Sequence, residues 1–225
     1  MKNIVIVGTS HVAAQSMQEV TEAIEKEEPT IIALELDRNR LHSLLSESKE
    51  KGKVPIKQIG LKGWLFYIIA QWAQEKIGKS LGVVPGIEMK TAIKLAAKNQ
   101  IRVALIDQDI RLTLKKLSKN IKWKEKWNFF VDLITGPFTG KKQLKKLGME
   151  NLDLTKVPKG DLIEKLLERV KDRYPGLYYT LVEERNQIMA ARIKKLLEAH
   201  PEDKILVVIG AGHKKGIEEI LSKDI

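Results

Sequence analysis

The sequence predicts an α/β fold: a central, mostly parallel or mixed sheet flanked by helices, with a helical cap drawn from the middle of the chain. Three observations predict it. Four short β-branched runs are almost continuously apolar, as strands covered on both faces are. Helical periodicity fills the spaces between them. Two of the runs, near opposite ends of the chain, lead into the same Gly-x-x-His turn, in NIVIVGTSHVAAQS and KILVVIGAGHKKGI.

The elements follow in order. Asn3–Val7 is the first strand. Ala14–Glu27 carries Met17, Val20, Ala23 and Ile24 at helical spacing, and Pro29 stops that helix just before the strand Thr30–Leu34. Thr91–Asn99 reads as a helix leading into the strand Arg102–Ile106. Leu162–Val170 and Leu181–Leu197 are further helices, the second ending near His200-Pro201. On its wheel Ile188, Met189, Ile193, Leu196 and Leu197 form the inward stripe, flanked by Arg185 and Asn186. Ile205–Ile209 is the last strand.

The middle differs. Segments 60–85 and 112–180 show helix signal and little strand signal, and they read as a cap within one domain spanning 1–225. Gly148–Gly160, with Pro158, reads as a loop. All four tryptophans, Trp64, Trp72, Trp123 and Trp127, lie in the cap.

Composition narrows the function classes. At 225 residues, with 43% apolar and 31% charged, the chain is long and apolar enough for a substantial core and unlike a disordered one. The absence of cysteine excludes disulfides and thiolate metal sites, leaving His, Asp, Glu or backbone oxygen as metal donors. The run WLFYIIAQWA at 64–73 falls short of the roughly 20 residues a membrane helix needs, and NIVIVG is too short for a signal peptide. A cytoplasmic or membrane-peripheral protein is expected.

The net charge of +11 is concentrated in part. Between Arg111 and Lys146 eleven Lys or Arg face two acids, Glu125 and Asp132. Trp123 and Trp127, four apart, share a helical face. The first reading is that the aromatics pack the cap onto the core while the lysines are solvated. An anionic membrane or peptide surface over 111–146 comes second. Nucleic acid comes last, because no nucleic-acid-binding fold surrounds the stretch.

In α/β sheets ligands bind beyond the carboxyl ends of the strands. Here those ends read Gly8-Thr9-Ser10-His11, Glu35, Asp107 and Gly210-Ala211-Gly212-His213. The two inner ends also match each other: Glu35-Leu36-Asp37 with Arg40 following, and Asp107-Gln108-Asp109 with Arg111 following. This is a degenerate two-fold repeat that would bring matching loops to one rim. Two imidazoles and carboxylates there would make a divalent-metal site with water as the remaining ligand, or a metal-free general base with its orienting acid. Each residue alone has a plainer role. A histidine at a strand end caps a helix or is satisfied locally, and Glu35 and Asp37 can cap the helix starting near Arg38. His42 and His200, lacking such a context, are assigned to structure or surface. Two Gly-x-x-His turns at matched strand ends are what capping does not explain. Arg185, on the buried side of its helix, needs an anionic partner: Glu184 or another acid, or at the rim Glu35 or a substrate carbonyl or carboxylate.

Six segments, GTSHV, ALELDRNR, PGIEMKTAIKLA, LIDQDIRLTLKKL, VEERNQIMAARI and VVIGAGHKKGI, in this order over roughly 3–221, resemble the TraB family, which includes the PrgY pheromone-shutdown proteins. The resemblance implies a wider group with Tiki proteases, erythromycin esterases and haem-binding ChaN proteins. It implies a site of His11, Glu35 and His213, with Arg40 after the glutamate motif and Glu184-Arg185 as the family's Glu-Arg pair. The expected protein is a hydrolase of a peptide, or of another amide or ester, dependent on a divalent metal (Mn, Co or Zn). His11, Glu35 and His213 would hold the metal or activate water directly, and Arg40 or Arg185 would stabilise oxyanion charge. Thr9, Ser10, Glu184 and Asn186 are the expected substrate contacts, and Asp107 is a further ligand or a turn cap. The alternative is a non-catalytic module that sequesters a peptide or haem-like ligand. A homo-oligomer fits either reading. Many relatives continue into C-terminal membrane helices, so this sequence reads as a short member or as the soluble part of a longer protein.

Overall fold

The structure is a computed structural model that describes residues 3–9, 13–46, 86–132, 135 and 160–223. The expected cap segment 60–85 with Trp64 and Trp72, residues 148–159 of the expected loop, and the site residues Ser10 and His11 lie outside the described residues. The chain runs β1 (Ile4–Thr9), α1 (Ala13–Glu27), β2 (Ile31–Leu34), α2 (Arg38–Leu45), α3 (Ile87–Lys98) and β3 (Arg102–Leu105). It continues through α4 (Ile110–Asn120), α5 (123–132), α6 (Gly160–Arg173), the short α7 (Pro175–Tyr178) and a π-helical turn (Tyr179–Glu183). It closes with α8 (Glu184–Ala199), β4 (Ile205–Gly210) and α9 (Ala211–Ser222).

The strands form one parallel sheet in the order β1-β4-β2-β3. Alternation along the strands explains the continuous apolar runs. Ile31, Ala33, Ile205, Val207 and Ile209 point to one face, against Met189 and Ile193 of α8 and Ile217 of α9. Ile32, Leu34, Leu206 and Val208 point to the other, against Val20 and Ile24 of α1 and Met89, Ala92 and Ala96 of α3. Burying each large side chain of this set contributes roughly 1.5–3 kcal/mol over leaving it exposed. Among the described strands only β2 and β4 are fully buried. The expectation that all four strands are covered on both faces fails at the edges. β1 is half-buried, and Arg102 and Val103 of β3 are exposed because an edge strand has a neighbour on one side only.

Local chemistry sets the element ends. α1 is supported by Gln15–Glu19 and Gln18–Glu22 hydrogen bonds at 3.0 and 2.7 Å, and Glu28, at φ 45°, and Pro29 end it. α3 closes through Gln100 at φ 57°, with the Ile101 N–H donating to Ala96 O at 2.8 Å. The expected Leu181–Leu197 helix is interrupted at its start by the π turn, which the apolar periodicity did not signal. His200, with Asp203 at 3.2 Å, lies at the amino-terminal end of the sheet, opposite the rim considered below. Among the described residues no helix is long and apolar enough to cross a membrane.

α1, α2 and α3, which follow β1 and β2, pack on one face of the sheet, whereas α9, which follows β4, packs on the other. β4 and β2 are neighbours, so their chains leave the rim in opposite directions. A crevice opens between them, at the carboxyl ends.

Candidate functional site: an ionic rim around Arg185

The sequence repeat has a structural counterpart. β2 and β3 pair in register, and each ends in acid-x-acid. The second acid of each pair caps the next helix. Asp37 Oδ1 accepts from the Asn39 and Arg40 N–H groups at 2.8 and 3.2 Å, and Asp109 Oδ1 accepts from the Arg111 N–H at 2.8 Å. The first acid of each pair, Glu35 and Asp107, is buried and turns to the guanidinium of Arg185.

Arg185 spends every donor it has. Nε donates to Asp107 Oδ1 at 3.1 Å, and Nη2 to Asp107 Oδ2 at 2.7 Å and to Glu35 Oε1. Nη1 donates to Leu181 O at 3.2 Å, inside the π turn, and faces His213 Nε2 at 3.0 Å. Five N–H groups thus meet five acceptors. Burial alone would lower the Arg185 pKa, but Glu35 and Asp107 overcome it and raise it above the ordinary arginine value.

Glu35 is held from both sides. Its Oε2 accepts from the Gly210 N–H at 2.6 Å across the crevice, and Oε1 lies 3.5 Å from His213 Nε2. Burial pushes the carboxyl up, yet His213 in its protonated form, Arg185, the Gly210 N–H and Arg40 together hold it at about 2. Asp107 also accepts from the Gln108 N–H and from Arg40 Nη1 at 3.2 Å, and its carbonyl accepts from Arg192.

His213 stands in the first turn of α9, and its Nδ1 meets Asn186 Oδ1 at 2.6 Å. An amide oxygen only accepts, so Nδ1 carries the proton and Nε2 has the lone pair toward Arg185 Nη1. A proton arriving on Nε2 would instead meet Glu35 Oε1. Nε2 therefore sits between a donor and an acceptor. Asn186 has room because residue 216 is glycine: a Cβ there would come within 2.3 Å of Asn186 Nδ2.

Several expected roles change. Thr9 is fully buried and donates to Ile209 O at 3.3 Å, tying β1 to β4 rather than facing a substrate. Asn186 grips His213, and Glu184 Oε1 pairs with Lys116 Nζ at 2.9 Å instead of joining the rim. Arg185, with no donor left, cannot also bind an oxyanion. Arg40 can: it is 41% exposed and, among the described residues, uses only Nη1 of its guanidinium, on Glu35 O at 3.3 Å and on Asp107. Asp107 accepts the Gln108 N–H of its own turn at 2.8 Å and is also the two-point partner of Arg185. One further residue reaches the rim, through the Asp107 carbonyl. Arg192, seven residues beyond Arg185 on the same helix face, was legible from spacing.

The metal expectation meets a full site. Among the described residues no group of three His, Asp or Glu could hold an ion. Both Glu35 oxygens are engaged, and the Arg185 cation lies against His213 Nε2, on the side an ion bridging it to Glu35 would need. The described residues do not fit a metal, and His11, the third expected donor, lies outside them.

The TraB/PrgY/gumN family description matches residues 1–224. The chain belongs to the TraB/PrgY/gumN family. It is 35% identical over 228 residues to an uncharacterized protein of Methanocaldococcus jannaschii, covering 98% of this chain and 54% of that protein. It is 26% identical over 249 residues to TraB domain-containing proteins of Mus musculus and Homo sapiens, covering 99% of this chain and 63% of each. The chain thus spans less than two-thirds of the length of these relatives. Within this TraB-family domain, segments from both ends of the match meet at one rim, since Glu35 follows β2 and Arg185 and His213 lie far along the chain.

Proposed function

We propose that this TraB-family domain hydrolyses a peptide, or another amide or ester, with His213 as the acid–base group. The observation that carries the reading is the double-sided setting of His213 Nε2, with Arg185 Nη1 at 3.0 Å and Glu35 Oε1 at 3.5 Å while Asn186 fixes the ring. Nε2 gives up its contact with Arg185 Nη1 and takes a proton from water as the water oxygen attacks the carbonyl carbon, and Glu35 stabilises the imidazolium. The spare donors of Arg40 receive the oxyanion. Nε2–H then returns the proton to the leaving amine or alkoxide as its bond to carbon breaks, giving acid plus amine or alcohol. No step runs through a metal. The Tiki and erythromycin-esterase resemblance supports hydrolysis as the reaction class.

The test is a library of unstructured peptides and simple esters, with product detected by mass spectrometry. Turnover lost in His213→Ala and lowered in Arg40→Ala is expected. Turnover unchanged in His213→Ala would sink the reading. The saturation of Arg185 favours a second reading, a rigid module that sequesters a peptide or haem-like ligand. Stoichiometric binding without product would select it.

A further inference from the structure

Helix α5 is inside out. Glu125, Asn128 and Asp132, at helical spacing, face the protein. Glu125 is buried and accepts from the Gly176, Leu177 and Lys122 N–H groups at 2.9, 3.2 and 3.1 Å. Asn128 Nδ2 donates to Arg173 O at 3.0 Å, and Asp132 pairs with Arg173 and accepts from the Tyr174 hydroxyl at 2.5 Å. Gly176 is required under this contact, since a Cβ would lie 2.3 Å from Asn120 O.

The opposite face carries Trp123, Trp127 and Phe130, which are 80%, 61% and 51% exposed. Trp127 and Phe130 rings lie 5.7 Å apart, and Lys126 Nζ lies 5.7 Å from the Trp123 ring. The expectation that these aromatics pack a cap onto the core is overturned, because the acids of the helix have taken the inward face. An ordered helix that docks by polar groups and presents its aromatic rings outward is built for contact with something else.

Charge says what. Both acids of the stretch 111–132 are consumed inward, while Lys115, Lys119, Lys122 and Lys124 are exposed and have no acidic partner among the described residues. Tryptophan flanked by lysine suits the boundary between headgroups and acyl chains, where the ring is half wet and the ammonium reaches phosphate. We propose that α5 docks this protein on the surface of an anionic bilayer, with Trp123, Trp127 and Phe130 entering the headgroup boundary and Lys122, Lys124 and Lys126 on lipid phosphates.

The test is co-sedimentation of the full chain with vesicles of phosphatidylcholine alone and of equimolar phosphatidylcholine and phosphatidylglycerol. Binding to the anionic vesicles only, weakened by salt, is expected. Lys122→Ala/Lys124→Ala should weaken it roughly 25-fold, at about fivefold per lysine. Trp123→Ser/Trp127→Ser should abolish it with an unchanged circular dichroism spectrum. Absence of binding to anionic vesicles overturns the proposal, as does binding that neither double variant changes. A dimer in size-exclusion chromatography that Trp123→Ser/Trp127→Ser dissolves, without vesicle binding, assigns the face to a second copy and also overturns it.

Discussion

Arg185 and Asp107 meet in a two-point contact, Nε to Oδ1 at 3.1 Å and Nη2 to Oδ2 at 2.7 Å, that joins the start of α8 to the end of β3. The same Nη2 reaches Glu35 at the end of β2, so one guanidinium closes the rim across two strands. A planar fork does this and an ammonium does not. Arg185→Lys should therefore leave a buried carboxylate without its partner and lower stability by roughly 3–5 kcal/mol in urea denaturation. Arg40→Lys, at a half-exposed pair, should change it by less than about 1 kcal/mol. Equal losses in the two variants would refute the central place given to Arg185.

The Asn186–His213 contact should be readable by nitrogen NMR of the ring. The wild type is expected to show the Nδ1–H tautomer alone, and Asn186→Leu to show a mixture. Gly216→Ala should act at a distance, because its new Cβ displaces the Asn186 amide; a stability loss of roughly 1–3 kcal/mol is expected. A Gly216→Ala protein with wild-type ring shifts would mean that Asn186 does not set the tautomer.

Glu35 gives a pH dependence with a definite sign. Its carboxyl lies at about 2 in the folded protein against 4.5 ordinarily, so its charge stabilises the fold above about 4.5. That contribution, roughly 3 kcal/mol, disappears as pH falls from 4.5 toward 2. Urea unfolding of wild type and Glu35→Gln should differ most near neutral pH and converge in acid. A constant gap across that range would contradict the ionic rim.

Metal-stripped protein should show no gain in melting temperature with Mn²⁺, Co²⁺ or Zn²⁺. A site occupied at 100 times its dissociation constant would add about 2.7 kcal/mol, which a melting curve resolves. Such a gain in wild type, lost in His11→Ala/His213→Ala, would restore the metal-dependent reading with His11 as a donor and displace the proposal based on His213 alone.

The hydrolase reading drew Glu35, His213 and Arg185 together from motifs, and their meeting follows from topology. Parallel strands of one sheet end at one rim, so Glu35 after β2 and the turn after β4 had to be neighbours once the strands were found. The roles were less legible. Thr9 looks like any exposed turn hydroxyl in the sequence, yet strand pairing buries it completely against Ile209. The fate of Arg185 depended on counting acceptors in space, which spacing along a helix does not supply. Trp123 and Trp127 share a helix face by periodicity alone, but which face turns inward was decided by Glu125 finding the Gly176 and Leu177 N–H groups fifty residues on.

The sequence by itself determined the α/β class, the strands to within two residues at either end, and the acid-x-acid and Gly-x-x-His ends that mark the rim, because apolar periodicity and turn chemistry are local. The tertiary structure alone decided that Arg185 is saturated, that Asn186 orients His213 and that α5 shows its aromatic face. Those outcomes depend on which donor reaches which acceptor across the fold, and a buried polar group takes the partner that geometry leaves it.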